Sequence, residues 1–351
     1  MNLVKILRAG LPMACLVFAQ PLLAKDFRVG VLYWSMNIAG QVAMRAGLEA
    51  EAKAVNREAA AAGLEGVELI PHVAGDGEAG IEHQIVQMRE LIADKVDLII
   101  VQPTDNAALA LPLREANAAG IPVVAYDQYI SGGTLAAYRS SDNYQAGFLD
   151  GEYLSSRFPP TQELRIVLVE YPHVSSTVER VDGFLDALAG LHRPYAILKR
   201  YEAVEPVSGA AAAQAILRDF PAKGGIDAVF TVNDGGGLAV VDGLAKADRD
   251  DILVATVDGD PSSVANIRSG RLTVIDSAQF CGPLGAEALR AAYGILLGNK
   301  VPTYALVPVF PITRETLSDY PGWAGPIPKP FTKPWPSLEP RWAGVLRVVK
   351  Q

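Results

Sequence analysis

Short apolar runs along this chain each end on polar residues able to hydrogen-bond a ligand. Asp127 and Gln128 follow IPVVAY, Asn233 and Asp234 follow AVFTV, Asp258 follows ILVATV, and Gln279 closes LTVIDSAQ. Trp34, Ser35 and Asn37 follow FRVGVLY, Gln102, Thr104 and Asp105 follow VDLIIV, and Glu170, Tyr171 and His173 follow LRIVLV. Carboxylates and carboxamides exchange hydrogen bonds with hydroxyls, and aromatic faces pack on C–H surfaces. This set therefore suits a polyhydroxyl or similarly neutral polar ligand, a sugar, polyol or related metabolite, and a mismatched ligand would leave buried polar groups unpaired. Asp, Asn and Thr in such places also cap helices. Thr104, Asp105 and Asp234 fit that role as well as they fit a ligand, whereas Asp127, Asp258 and Gln279 read as ligand contacts. In VNDGGGLAV the strand end presents Asn233, Asp234 caps or supports it, and the glycines allow a tight turn. Consecutive strand residues face opposite ways, so Tyr33 and Trp34 cannot share a face. Trp34 is the one expected at the ligand.

Other chemistries find less support. Gly75–Gly80 spells G-x-G-x-x-G, but it follows a second strand and puts Asp76 and Glu78 where a pyrophosphate would sit. No P-loop and no G-x-S-x-G elbow occurs. The spacing of His72, His83, His173 and His192 suggests no zinc site. Asp127 and Asp258 as a glycosidase pair would need a fixed separation and one raised pKa; that reading ranks behind plain binding. No metal and no cofactor is expected.

The elements that must position these residues alternate. Strands over Phe27–Tyr33, Val67–Pro71, Val96–Gln102 and Ile121–Tyr126 are interleaved with helices over Gly40–Gly63, Ile81–Asp94 and Asn106–Ala119. A second block runs from Leu164–Glu170 to Leu272–Ser277, with helices ending near Gly190, Phe220, Ala247 and Ser269. Continuous apolar strands joined by helices imply α/β architecture, with parallel sheets covered on both faces. The stretch after Thr313 is dense in proline and carries Trp323, Trp335 and Trp342. Its prolines argue against regular helix or sheet. It is expected to lie over the surface on aromatic anchors, or to dock a partner.

The 351 residues are 50% hydrophobic with net charge −8 and no basic cluster, which argues against a nucleic-acid partner. Lys5 and Arg8, an apolar stretch from Leu11 to Phe18 and small residues near Ala24 form a secretory signal pattern over 1–24, too short to span a membrane. Cleavage after Ala24 would take the charge to −10 and leave Cys281 as the single cysteine, so no internal disulfide could form. Periplasmic localisation is the expectation.

Six segments carry a resemblance when taken together and in order: VQPTDNAALALPLREANAAGIPVVAYDQ, RSSDNYQAG, VERVDGF, VFTVNDGGGLA, ILVATVDGDP and DSAQFCGPLGA. Across about residues 26–312 the chain resembles type I periplasmic binding proteins of the ribose/galactose-binding, LacI-like group. The resemblance implies two doubly wound parallel-sheet lobes joined by a three-strand hinge, with ligand enclosed between them. The boundaries would be 25–140 plus 280–307 for one lobe, 141–279 plus 308–313 for the other, and a tail over 314–351. It places Asp127, Asn233, Asp258 and Gln279 at ligand-contact positions with the family's residue types. Departures occur where the ribose type has arginines, here Gln128 and Val178 (with Arg180 two residues on), and where it stacks two phenylalanines, here Gly40 and Gln41. Losing two guanidinium forks argues against ribose as the ligand. The implied function is capture by hinge closure without chemistry, in a monomer that delivers its ligand to the permease of an ABC importer. The alternative is presentation of the closed form to a sensor kinase or chemoreceptor.

Overall fold

The computed structural model describes residues 25–349, so the signal-peptide expectation for 1–24 lies outside the described residues. The first sheet collects β1 (Phe27–Tyr33), β2 (Val67–Val73), β3 (Leu98–Val101), β4 (Val123–Tyr126) and β5 (Ala137–Ser141). The helices α1 (Ala39–Ala62), α2 (Gly77–Ala93) and α3 (Ala110–Ala118) connect its first four strands. The chain then runs through α4 (Asn143–Ser156) into the second sheet: β6 (Leu164–Glu170), β7 (Tyr195–Glu202), β8 (Ala228–Thr231), β9 (Leu253–Asp258) and β10 (Thr273–Gln279). Between those strands lie α5 (Ser175–Gly190), α6 (Pro206–Asp219), α7 (Asp234–Lys246) and α8 (Pro261–Ser269). α9 (Cys281–Leu296) and β11 (Tyr304–Val307) return to the first sheet, and β12 (Val309–Thr313) crosses back to the second. Two-residue strands β13 (Phe331–Thr332), β14 (Arg341–Trp342) and β15 (Arg347–Val348) finish the described chain.

The strand orders are β15-β11-β5-β4-β3-β1-β2 and β12-β10-β9-β8-β6-β7. Pairing is parallel except at one edge of each sheet, where β15 on β11 and β12 on β10 run antiparallel. The central strands LIIV, VVAY and AVFT are buried at every residue, as β-branched runs covered by helices on both faces should be. From β5 to β12 the chain passes between the sheets three times, at Asp142, Phe280 and Pro308, which gives two α/β lobes.

α4 and α9, which the residue pattern alone leaves unassigned, each pack against a site-bearing helix. A Cβ on Gly47 of α1 would lie 2.1 Å from the Gly282 carbonyl oxygen of α9, and one on Gly147 of α4 would lie 1.8 Å from the Arg180 carbonyl oxygen of α5. Only glycine permits these backbones to touch, and the close pairs fix the start of α1 in one lobe and of α5 in the other. The proline-rich tail contains short strands after all. β13 pairs with β14, and β15 adds to the first sheet, because two-residue pieces beside or beyond prolines can still form ladder bonds.

Candidate ligand-binding site

The carboxyl ends of both sheets face each other across the hinge, and eight of the ten candidate residues line one cavity there. The first lobe contributes Trp34, Gln41, Asp127 and Gln128, and the second contributes Arg180, Asn233, Asp258 and Gln279. Trp34 turns to the cavity and packs with Val174, Val204 and Tyr171 of the opposite lobe. Tyr33 turns into the core, with the Arg45 guanidinium 4.7 Å over its ring.

Two carboxylates dominate the polar lining, and both sit on unusual backbone. Among the described residues six non-glycines have positive φ, and two of them are Asp127 at 65° and Asp258 at 132°. Such conformations cost on the order of 1–3 kcal/mol each and persist where surrounding structure imposes them. At Asp127 the carbonyl oxygen accepts from Tyr138 Oη at 3.1 Å and Ser140 Oγ at 2.9 Å, while the amide donates to the Arg139 carbonyl at 2.8 Å. Its Oδ2 accepts from Gln102 Nε2 at 2.9 Å, and its buried Oδ1 has no partner among the described residues. Gln102 is held in turn by Gln84, whose Nε2 donates to the Gln102 carbonyl at 2.8 Å. The Oε1 of Gln84 accepts from the amide and hydroxyl of Thr104.

Asp258 uses Oδ1 for protein contacts, accepting from Gln279 Nε2 at 2.6 Å and Arg180 Nη1 at 3.1 Å. Its Oδ2 faces Gly40 across the cavity and accepts no hydrogen bond among the described residues. Arg180 also donates to the Val232 carbonyl at 2.7 Å and to Asn143 Oδ1 at 3.0 Å. Gln279 accepts from Ser141 Oγ at 2.7 Å, which ties the site to two of the three crossings. Behind Asp258 the chain turns over a layer of buried acids. The amide of Gly259 donates to Asp276 Oδ1 and that of Asp260 to Asp234 Oδ2, both at 2.8 Å.

Burial sets the protonation of these groups. It pushes Asp258 up to about 6, against the opposing pull of Arg180 and Gln279. It carries Asp276 to about 8 and lifts Asp234, Asp150 and Asp127 as well. For Asp127 the Gln102 amide is the main counterweight.

Asn37 and His173 lie outside the cavity. Asn37 donates to Asp76 Oδ2 at 2.6 Å. The half-exposed His173 ring points to Asp105 and Glu202, at 4.0 and 3.5 Å. Its carbonyl accepts from the Asn106 amide at 3.0 Å, so the backbone there helps hold the lobes together. Asn233 lines the cavity, yet its side chain caps α7 through the Gly236 amide and donates to the Val204 carbonyl. Asp234 is buried, accepting from Thr256 Oγ1 at 3.0 Å and from the Asp260 amide. The capping role therefore falls to Asn233, and Asp234 supports the next turn.

The cavity also takes in Ile38, Gly40, Met44, Val174, Ser176, Thr177 and Val204. Gly40 and Met44 share a helix face with Gln41, and Ser176 and Thr177 share one with Arg180. Helical spacing from those two residues is the signal that could have found them. A roomier groove of about 360 Å³, at the far end of the second lobe, holds none of the candidate residues. Among the described residues no group of three or more His, Cys, Asp or Glu could hold a metal, and no helix is long and apolar enough to cross a membrane.

This geometry agrees with what the chain is similar to. The ribose import binding protein of Bacillus subtilis is 27% identical over 279 residues, covering 79% of this chain and 84% of that protein. An ABC transporter solute-binding protein of Agrobacterium vitis, solved with α-D-tagatopyranose, is 26% identical with a TM-score of 0.71 over 84% of this chain and 97% of that one. One from Actinobacillus succinogenes, solved with D-allose, shares the fold at 23% identity and a TM-score of 0.71, over 84% of this chain and all of that one. The family model for the periplasmic binding protein domain matches residues 29–300, and the chain belongs to that family, in its type I, ribose/galactose-binding and LacI-like group.

Proposed function

We propose that the protein captures a small polyhydroxylated ligand, a sugar or polyol, between its lobes and presents the closed form to the permease of an ABC importer. The observation that carries this is the pair of buried, cavity-lining carboxylates on opposite lobes, each with one oxygen bound to protein and one without a hydrogen bond among the described residues. Hydroxyl donors from one ligand would satisfy both acceptors at once. Trp34, Ile38, Met44, Val174 and Val204 offer the apolar surface that a sugar's C–H face needs. Four contacts already join the lobes across the cleft. The Asn106 amide donates to the His173 carbonyl, the Ser175 amide to Asn106 Oδ1, the Tyr129 amide to Ser175 Oγ, and the Ser176 amide to Gln128 Oε1. Closure by rotation at the crossings follows from that arrangement.

The names of the relatives support import of a sugar, and none of them supports the sensor alternative. In this reading the exported form runs from residue 25 in the periplasm. Its lobes are 25–140 with 280–307 and 141–279 with 308–313, and it works as a monomer without chemistry. Thermal unfolding of residues 25–351 against pentoses, hexoses and polyols tests the proposal. A ligand at a hundredfold excess over its dissociation constant stabilises by about 2.7 kcal/mol, a rise of about 4 °C for a chain of this size. A flat response to every sugar and polyol would overturn it.

A further inference from the structure

The C-terminal segment lies beyond the matched domain, which ends at residue 300, and the D-allose-bound relative uses its whole chain on 84% of this one. Here that segment reaches the back of the ligand site. Trp323 Nε1 donates to the Asp258 carbonyl oxygen at 2.7 Å, and Tyr320 Oη donates to the Gly259 carbonyl oxygen at 3.3 Å. On the other side of the same turn, the Gly259 and Asp260 amides are held by Asp276 and Asp234. The turn that aims the Asp258 carboxylate is thus gripped through both its carbonyls and its amides. The Trp323 carbonyl oxygen meanwhile accepts from the amide of Gly282, at the start of α9 in the first lobe, at 3.2 Å.

We infer that Trp323 is a positioning residue of the ligand site: its indole N–H fixes the peptide that orients Asp258, and its own carbonyl ties that clamp to the opposite lobe. The inference rests on the proposed capture function. Asp258 holds a positive-φ conformation that favours glycine. Its peptide plane needs outside support, and a half-buried indole donor supplies it. The rest of the segment is anchored to suit this role. Lys333 pairs with buried Glu152, Trp342 Nε1 donates to the Val309 carbonyl at 2.9 Å, and β15 pairs with β11 of the first sheet. The segment therefore touches both lobes and amounts to a fourth connection between them.

Two variants of residues 25–351 test this. Trp323→Phe keeps the ring and the backbone carbonyl and removes the donor. Trp323→His restores a donor, because imidazole Nε2 occupies the place of indole Nε1. Amide hydrogen exchange at Gly259 and Asp260 reads the clamp without any ligand, and titration with the sugar or polyol found by thermal screening reads its effect on binding. Trp323→Phe is expected to exchange faster at those two amides and to bind roughly tenfold more weakly. Its unfolding midpoint is expected to move by no more than about 2 °C, and Trp323→His should recover much of the affinity. Unchanged exchange and affinity in Trp323→Phe would overturn the inference, and so would faster exchange spread evenly through the second lobe. If the wild type binds nothing in the panel, the capture function fails, while the exchange comparison still decides the clamp.

Discussion

The two lobes bring the same device to the cavity and support it differently. Asp127 follows a central strand and Asp258 ends one, each holds positive φ, and each keeps one carboxylate oxygen without a hydrogen bond among the described residues. Behind Asp127 the support is neutral, a chain of Gln102, Gln84 and Thr104. Behind Asp258 it is ionic, with Arg180 in contact and Asp234 and Asp276 under the following turn. Amides fix direction without titrating. Buried carboxyls change their charge and hydrogen-bonding capacity with protonation. The support behind Asp258 is therefore where charge acts most, while Asp127, whose carboxyl burial also lifts, rests on groups that do not titrate.

Removing Arg180 should have the largest effect. Arg180→Ala strands the buried Asp258 carboxylate and takes donors from Val232 and Asn143, costing about 3–5 kcal/mol of stability. Gln102→Ala breaks no ion pair, only the hydrogen bonds of its amide, including the one to Asp127 Oδ2, and should cost about 1–3 kcal/mol. Equal losses in denaturant titrations would erase the contrast between the lobes.

Next come the acids themselves. Asp258→Ala and Asp127→Ala should each abolish measurable binding, a loss of roughly a hundredfold or more, with the fold intact by circular dichroism. Wild-type affinity in either folded variant would remove that residue from the site.

The pH response reads the site acids, which burial lifts in both lobes. A ligand hydroxyl donates to the ionised carboxylate, so affinity should fall by up to about tenfold per unit as pH drops below about 6, where Asp258 takes up a proton. Affinity that stays level from pH 7 to pH 5 would contradict this.

The Asp276 carboxyl has its folded value raised from 3.8 to about 8 by burial. Its contribution to stability is fully present below about 4 and is lost as pH rises through about 8. Asp276→Asn should therefore flatten the decline of the unfolding midpoint over that range, and parallel curves for the two proteins would refute the assignment. The smallest effect is expected at His173, whose ring lies outside the cavity. His173→Ala should change affinity less than about twofold, within the scatter of surface substitutions, and a larger loss would put that ring back in the site.

Much of the fold was legible because runs such as LIIV and VVAY admit few alternatives to buried parallel strands. α4 was not, because polar Asn143, Asp150 and Glu152 are among its buried residues and mask any apolar period. The site acids were legible from their place after strands. Asn37 and His173 share that place, yet the chain has already turned outward where they sit. Nor could strand position tell Asn233 from Asp234, since which of the two caps α7 depends on Thr256 and Asp260, distant in sequence. The prolines of the tail announced irregular chain, but nothing local says that Trp323 reaches Asp258 or that Trp342 reaches Val309.

The proposed capture requires one hydroxylated ligand to bridge Asp127 and Asp258. Its most direct test is titration calorimetry of wild type, Asp127→Asn and Asp258→Asn with the bound sugar or polyol and its single-deoxy analogues. Each variant is expected to lose affinity for the parent ligand but little further for one particular deoxy analogue, a different one for each acid. Additive losses for every analogue, or full affinity in both variants, would contradict it.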